Sequence, residues 1–98
     1  KLLVRQPTST FYVRVFGDSM ENIGIFTGDI LVVDRSLNAC SNSIVIAIVG
    51  DELVVKRLKI FDDKIELHSE NDTYDPLVIK EPDLVKIWGV VCGLVRQF

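Results

Sequence analysis

The sequence predicts an all-β domain with little helix, a fold of several short twisted strands. Three observations carry this. Short runs rich in valine, isoleucine and aromatic residues recur along the chain, the composition that suits a pleated, half-buried surface. Turn residues separate them, at Gly17-Asp18-Ser19, Thr27-Gly28-Asp29, Gly50-Asp51-Glu52 and Asp62-Asp63-Lys64. No segment of about ten residues or more keeps a helical period of apolar positions.

The elements follow in order. Lys1 to Thr10, with Pro7 and a Thr-Ser-Thr run, is expected to be an extended arm remnant (residues 1–10) entering a single domain (residues 11–98). Phe11 to Phe16 is the first strand, stopped by Gly17. Met20 to Gly28 is irregular, with room for one helical turn. Ile30 to Asp34 is the second strand and Ser36 to Ser43 a loop. Ile44 to Val49 is apolar on both faces and so belongs inside a sheet. The Gly50 turn leads into Leu53 to Ile60, and the Asp62 turn into Ile65 to His68. Ser69 to Glu81 is polar, with a short strand at Leu77 to Ile79. Lys86 to Phe98 is a last strand or strand pair. Strict alternation puts Ile87, Gly89, Val91, Gly93 and Val95 on one face, and Trp88, Val90, Cys92, Leu94 and Phe98 on the other. As the chain terminus it is expected to be an edge strand that pairs with a second copy.

Composition narrows the function. Ninety-eight residues with 48% hydrophobic content make one domain with a real core. The net charge is −3, from 14 acidic and 11 basic side chains, and phosphate-backbone binding needs a basic face. Direct DNA binding is therefore not expected. The longest apolar run, Ile44 to Val49, is too short to span a membrane. No signal peptide is visible. Because the chain begins at Lys1, an upstream segment is expected to have been removed. Cys40 and Cys92 are too few for a disulfide framework or a zinc site, and fit a reducing cytoplasm. Cys92, in an apolar strand, reads as a small core residue.

Lys56 is the most informative residue. Val54, Lys56, Leu58 and Ile60 share one strand face, so an ammonium group stands in line with three aliphatic side chains. Burial disfavours its charged form, and a neutral amine is a general base in want of a nucleophile. Ser19, in the turn Gly17-Asp18-Ser19-Met20, is the candidate. A Ser-Lys pair is one known way to activate a serine. The backbone N–H groups of Asp18 and Ser19 are the candidate oxyanion donors. Against this stands the plainer reading, that strand lysines snorkel to water and Gly-Asp-Ser is ordinary turn chemistry. Other constellations are weaker. His68 shares a face with Glu66 and reads as a surface residue. Glu70, Asp72 and Asp75 lack the ligand spacing of a calcium loop. Gly24 and Gly28 are not followed by a phosphate-binding lysine or helix start. No cofactor and no metal are expected.

Gly17-Asp18-Ser19-Met20, then Gly28-Asp29-Ile30-Leu31-Val32-Val33-Asp34, then Val54-Val55-Lys56-Arg57-Leu58 together resemble the self-cleaving domain of LexA-type repressors and UmuD-type mutagenesis proteins. The serine-to-lysine separation, 56 − 19 = 37, matches the family's dyad. Glu66-Leu67 and Glu70-Asn71 extend the likeness over nearly the whole chain. Leu2-Leu3, Pro7, Phe11-Tyr12-Val13 and Trp88-Gly89-Val90-Val91 resemble the UmuD type more closely. The resemblance implies a LexA/UmuD-like fold, Ser19 as nucleophile and Lys56 as base. It also implies a homodimer that cuts its own N-terminal arm under stimulation by RecA filaments on single-stranded DNA. The processed form would then join an error-prone, UmuC-like polymerase subunit in the response to DNA damage. The alternatives are the autolysis and dimerisation domain of a LexA-like or phage repressor, and a non-catalytic interaction module. Two departures stand out. The family cuts at an Ala-Gly or Cys-Gly bond before the serine, and none lies between Lys1 and Ser19, so a trimmed, product-like form is expected. Cys92-Gly93 lies after the dyad and is read as coincidental. Asn42-Ser43 stands where the family often has a glycine, and asparagine tolerates left-handed backbone.

Overall fold

Each apolar run becomes a strand where a turn residue lets the chain reverse. The computed structural model describes residues 9–62, 64–80 and 85–96. Seven strands form: β1 (Thr10–Arg14), β2 (Ile30–Asp34), β3 (Ile44–Val49), β4 (Glu52–Ile60), β5 (Ile65–His68), β6 (Leu77–Ile79) and β7 (Val85–Val95). They make one antiparallel sheet in the order β1-β2-β7-β3-β4-β5-β6. The helical element among the described residues is a single 3-10 turn at Glu21–Ile23. No helix among the described residues is long and apolar enough to cross a membrane. Most of the expected arm lies outside the described residues.

β2, β3, β5 and β6 have the bounds expected from sequence. β1 stops at Arg14, short of the expected Phe16. The reason is a pair of backbone bonds: Val15 N–H donates to the Asp29 carbonyl at 2.8 Å, and Gly28 N–H donates to the Val15 carbonyl at 2.9 Å. They draw the chain toward the Thr27-Gly28 turn and bury Val15. The β3–β4 hairpin closes at Val49 opposite Glu52 around Gly50, whose φ of +61° suits glycine. Asn42 has a φ of +79° and takes the left-handed position that its residue type tolerates. Its backbone N–H donates to the Leu58 carbonyl at 2.7 Å.

The last strand departs from expectation. β7 is internal, not an edge strand: it runs as one piece between β2 and β3. Its first half pairs with β3 and its second half with β2, meeting at Val90, which lies opposite both Val45 and Asp34. The register also shifts on each side, between Ile46 and Ala47 on β3 and between Val32 and Val33 on β2. A bulge adds a residue and resets the alternation of faces. Ile87 and Val90 therefore pack on one core cluster, Trp88 and Val91 on the other, which strict alternation does not allow. Cys92 is exposed rather than part of the core, and Leu94 and Val95 beside it are exposed too. Among the described residues, no strand lies on the β3 side of the second half of β7, where the pairing ends at Val90.

The core has two parts. Val15, Met20, Ile25, Leu31, Val33 and Ile46 form one cluster, and Val45, Ala47, Leu58 and Leu67 the other. Adjacent β3 residues, Val45 and Ile46, fall in different clusters, as period-two alternation requires. Asp29 is the one buried charged side chain among the described residues. It accepts from Arg96 Nε at 2.8 Å and Nη2 at 2.7 Å, and from Phe26 N–H at 2.8 Å. Arg96 also donates to the Gly24 carbonyl at 2.7 Å, fastening the chain beyond β7 to the turn before β2.

Two predictions follow from this packing. A Cβ on Gly89 would lie 2.5 Å from Cγ1 of the fully buried Val33, whereas one on Gly93 meets only ordinary contact with Val32. Gly89→Ala is expected to cost about 1–3 kcal/mol in denaturant unfolding by overpacking, and Gly93→Ala much less. The Arg96 hydrogen bonds, then that of Phe26, hold the Asp29 carboxyl down to about 2. A depressed carboxylate stabilises the fold above its unfolded pKa and loses that contribution as pH falls through the folded one. Thermal melts should therefore show a loss between about pH 4 and pH 2 that Asp29→Asn does not share.

Candidate active site

Ser19 sits in the connection between β1 and β2, held from both sides. Gly17, with φ +102°, is clasped by Thr27: its N–H donates to Thr27 Oγ1 at 2.7 Å, and that hydroxyl donates back to the Gly17 carbonyl at 2.9 Å. On the other side Met20 is 1% exposed and anchors the turn in the core. Ser19 is left partly exposed between them. The turn's backbone bonds involve Glu21, Ile23 and Gly24. Among the described residues, the N–H groups of Asp18 and Ser19 have no acceptor.

Lys56 comes from β4, opposite Val45 of β3. It and Ser19 line one cleft of about 250 Å³, together with Val13, Val15, Leu31 and Val55. Lys56 is partly buried, and desolvation lowers its pKa below the ordinary lysine range. The fold thus brings together the two residues singled out from the sequence. The amine's hydrogen bond goes to Ser69, however: Lys56 Nζ lies 2.6 Å from Ser69 Oγ. Its Nζ also lies 5.4 Å from the centre of the Tyr74 ring.

The loop after β5 ties both sides of the cleft together. Tyr74 donates its hydroxyl to the Asp18 carboxylate at 2.5 Å, and Asn71 Nδ2 donates to the Asp18 carbonyl at 2.8 Å. Asn22 N–H donates to the Glu70 carbonyl at 2.8 Å, while Glu70 N–H meets Met20 Sδ at 3.4 Å. Arg57, next to Lys56, donates from Nε to the Glu70 carboxylate and from Nη1 to the Asn42 carbonyl at 2.7 Å. The Asp18 carboxylate pushes the Tyr74 phenol pKa upward and so keeps it a donor.

Sequence reasoning did not single out Ser69 or Tyr74 for a role. The signal for Ser69 was present in the hairpin. Arg57 faces His68 and Leu58 faces Leu67, so the same register carried one step further puts residue 69 opposite Lys56. His68 lies outside the cleft and pairs with Glu66 at 2.7 Å. Glu70 forms an ion pair with Arg57, and Asp72 accepts from Asn22 Nδ2 at 3.3 Å. Both carboxylates are thus engaged in holding loops together.

The model of the Peptidase S24-like family matches residues 1–92. The chain belongs to this family. Its similarity to individual proteins points the same way. It is 42% identical over 88 residues to a LexA repressor of Syntrophotalea carbinolica, an alignment covering 90% of this chain and 44% of that protein. It is 41% identical over 90 residues to a LexA repressor of Xylella fastidiosa, covering 92% and 43%. With a LexA repressor of Actinobacillus succinogenes it shares 37% identity over 94 residues, covering 94% and 45%. The chain therefore spans less than half the length of these relatives. They carry the LexA name, and so do not support the closer likeness to the UmuD type expected from the sequence motifs.

The environment of Lys56 generates a prediction of its own. A lysine whose folded pKa is lowered binds fewer protons folded than unfolded in the range between the two values. Stability rises with pH across that range. Denaturant unfolding of the domain should show this rise up to the ordinary lysine value of 10.5, and Lys56→Met should flatten it.

Proposed function

We propose that this S24-family domain is a self-cleaving serine endopeptidase in which Ser19 is the nucleophile and Lys56 the general base, serving as the autolysis and dimerisation domain of a LexA-like repressor. The supporting observation is that Ser19 and a desolvated Lys56 share the walls of one cleft. The reaction runs in balanced steps. The neutral Lys56 amine takes the Ser19 Oγ proton as Oγ bonds to the peptide carbonyl carbon, and the carbonyl π pair moves to oxygen. The N–H groups of Asp18 and Ser19 donate to that oxyanion. The carbonyl re-forms, the C–N bond breaks, and the Lys56 ammonium gives its proton to the leaving amine. Water, deprotonated by the same amine, then attacks the ester carbonyl, and the serine hydroxyl is restored.

The substrate is a segment of the same polypeptide or of a paired copy, RecA filaments are the stimulus, and the setting is the cytoplasm. A second copy would dock against the outer half of β7, where Cys92, Leu94 and Val95 are exposed. The relatives named LexA repressor support the repressor setting. A second reading, a UmuD-type accessory subunit of an error-prone polymerase, is favoured by the Phe11-Tyr12-Val13 and Trp88-Gly89-Val90-Val91 segments.

Intact-mass analysis of the full-length polypeptide at alkaline pH tests this, since high pH deprotonates a lysine base without an activator. Cleavage is expected in the parent, with a loss of at least about 100-fold in Ser19→Ala and Lys56→Ala. A released fragment the size of a DNA-binding domain supports the repressor, and a short arm supports the UmuD reading. A parent that stays intact, also with RecA filaments, would leave a non-catalytic interaction module.

A further inference from the structure

From the 2.6 Å bond between Lys56 Nζ and Ser69 Oγ we infer that Ser69 is a positioning residue that aims the Lys56 amine across the cleft at Ser19; this deepens the peptidase reading and rests on it.

The geometry follows from the hairpin. β4 and β5 pair with Leu58 opposite Leu67 and Arg57 opposite His68, and Ser69 is the next residue after the last paired one. It lies across from Lys56 at the point where the ladder has just ended. Here the chain is free to turn into the loop that grips Asp18. The lysine stem is long and has many rotamers, and most of the cleft wall around it is aliphatic. A hydroxyl is the polar partner that directs the head group. With an N–H donated to Ser69, the lone pair of the neutral amine is left for the Ser19 proton. A carboxylate in that place would hold the lysine charged and useless as a base. A hydroxyl fixes its direction without adding charge.

The other groups around Lys56 fit this assignment. Arg14 of β1 and Glu52 of β4 stand on the cleft wall, and Arg57 next in β4 is engaged by Glu70. From the loop comes Tyr74, with the Asp18 carboxylate behind its hydroxyl. Ser69 bonds the amine directly.

The test uses two readouts in the full-length protein: the pH–rate profile of self-cleavage, and the Lys56 titration midpoint from NMR of labelled lysine side chains. An ammonium donates to a hydroxyl more strongly than an amine does. Losing Ser69 Oγ therefore lowers the Lys56 midpoint while disordering the base. Ser69→Ala is expected to lower the alkaline plateau rate by roughly tenfold and to move both the profile and the NMR midpoint to lower pH. Ser69→Thr, which keeps the hydroxyl, should restore both. A merely loosened site would admit water and move the midpoint up. An unmoved or raised midpoint in Ser69→Ala, in a parent that cleaves, overturns the assignment of Ser69 and leaves the dyad intact. A parent that does not cleave, but whose Lys56 midpoint still falls in Ser69→Ala, overturns the dyad and supports the Ser69–Lys56 bond.

Discussion

The structure depends on the double pairing of β7. The strand order divides into β1-β2 on one side and β3-β4-β5-β6 on the other, with β7 between. Ser19 is on the connection between β1 and β2, and Lys56 is on β4. Neither half contains both. Val45 and Asp34, both opposite Val90, mark where one ladder ends and the other begins. Register shifts beside that point bend the sheet and switch which face is buried. Gly89 permits the close approach of Val33 there. Across this joint the two halves share the cluster in which Leu31 and Val33 of β2 pack with Ile46 of β3 and Trp88 and Val91 of β7. The cleft is a product of that joint.

A second connection sharpens what the sheet makes possible. Residues 69–74 reach from the β5 end back to the turn that carries Ser19, through Asn71 and Tyr74 on Asp18 and Glu70 on Asn22. The same loop begins with the hydroxyl that bonds Lys56. The turn that carries Ser19 and the Lys56 amine are thus held by one loop as well as by one sheet. Placement of catalytic groups to within fractions of an ångström needs support of this kind. Membership of the Peptidase S24-like family fits a site so built. The desolvation that lowers the Lys56 pKa is the same burial that opposes the folded state's holding a charge there. A modest loss of stability accompanies an amine held closer to its neutral form.

Much of this was legible in the residues. Turn chemistry at Gly17, Gly28 and Gly50 and the apolar runs between set the all-β class and most strand bounds, because φ > 0 and period two are local properties. The left-handed Asn42 was legible for the same reason. The position of β7 was not. An apolar terminal strand fits an edge covered by a partner as well as an interior place, and the bulges that reset its faces depend on which neighbours it finds. That is why Cys92 looked buried and is exposed.

The sequence by itself singled out Ser19 and Lys56, since a lysine among aliphatic residues and a serine in a glycine turn are written in residue types and spacing. It also determined the family, through motifs spread over the chain. Only the tertiary structure decided what the lysine bonds to, which residues brace the serine turn, and which face of the last strand meets water. These are contacts between segments tens of residues apart, such as Asp18 with Tyr74 and Met20 with Glu70. They form only once non-local strand pairing has closed the long loops between them, and loop closure is a property of the folded chain rather than of any local stretch of it.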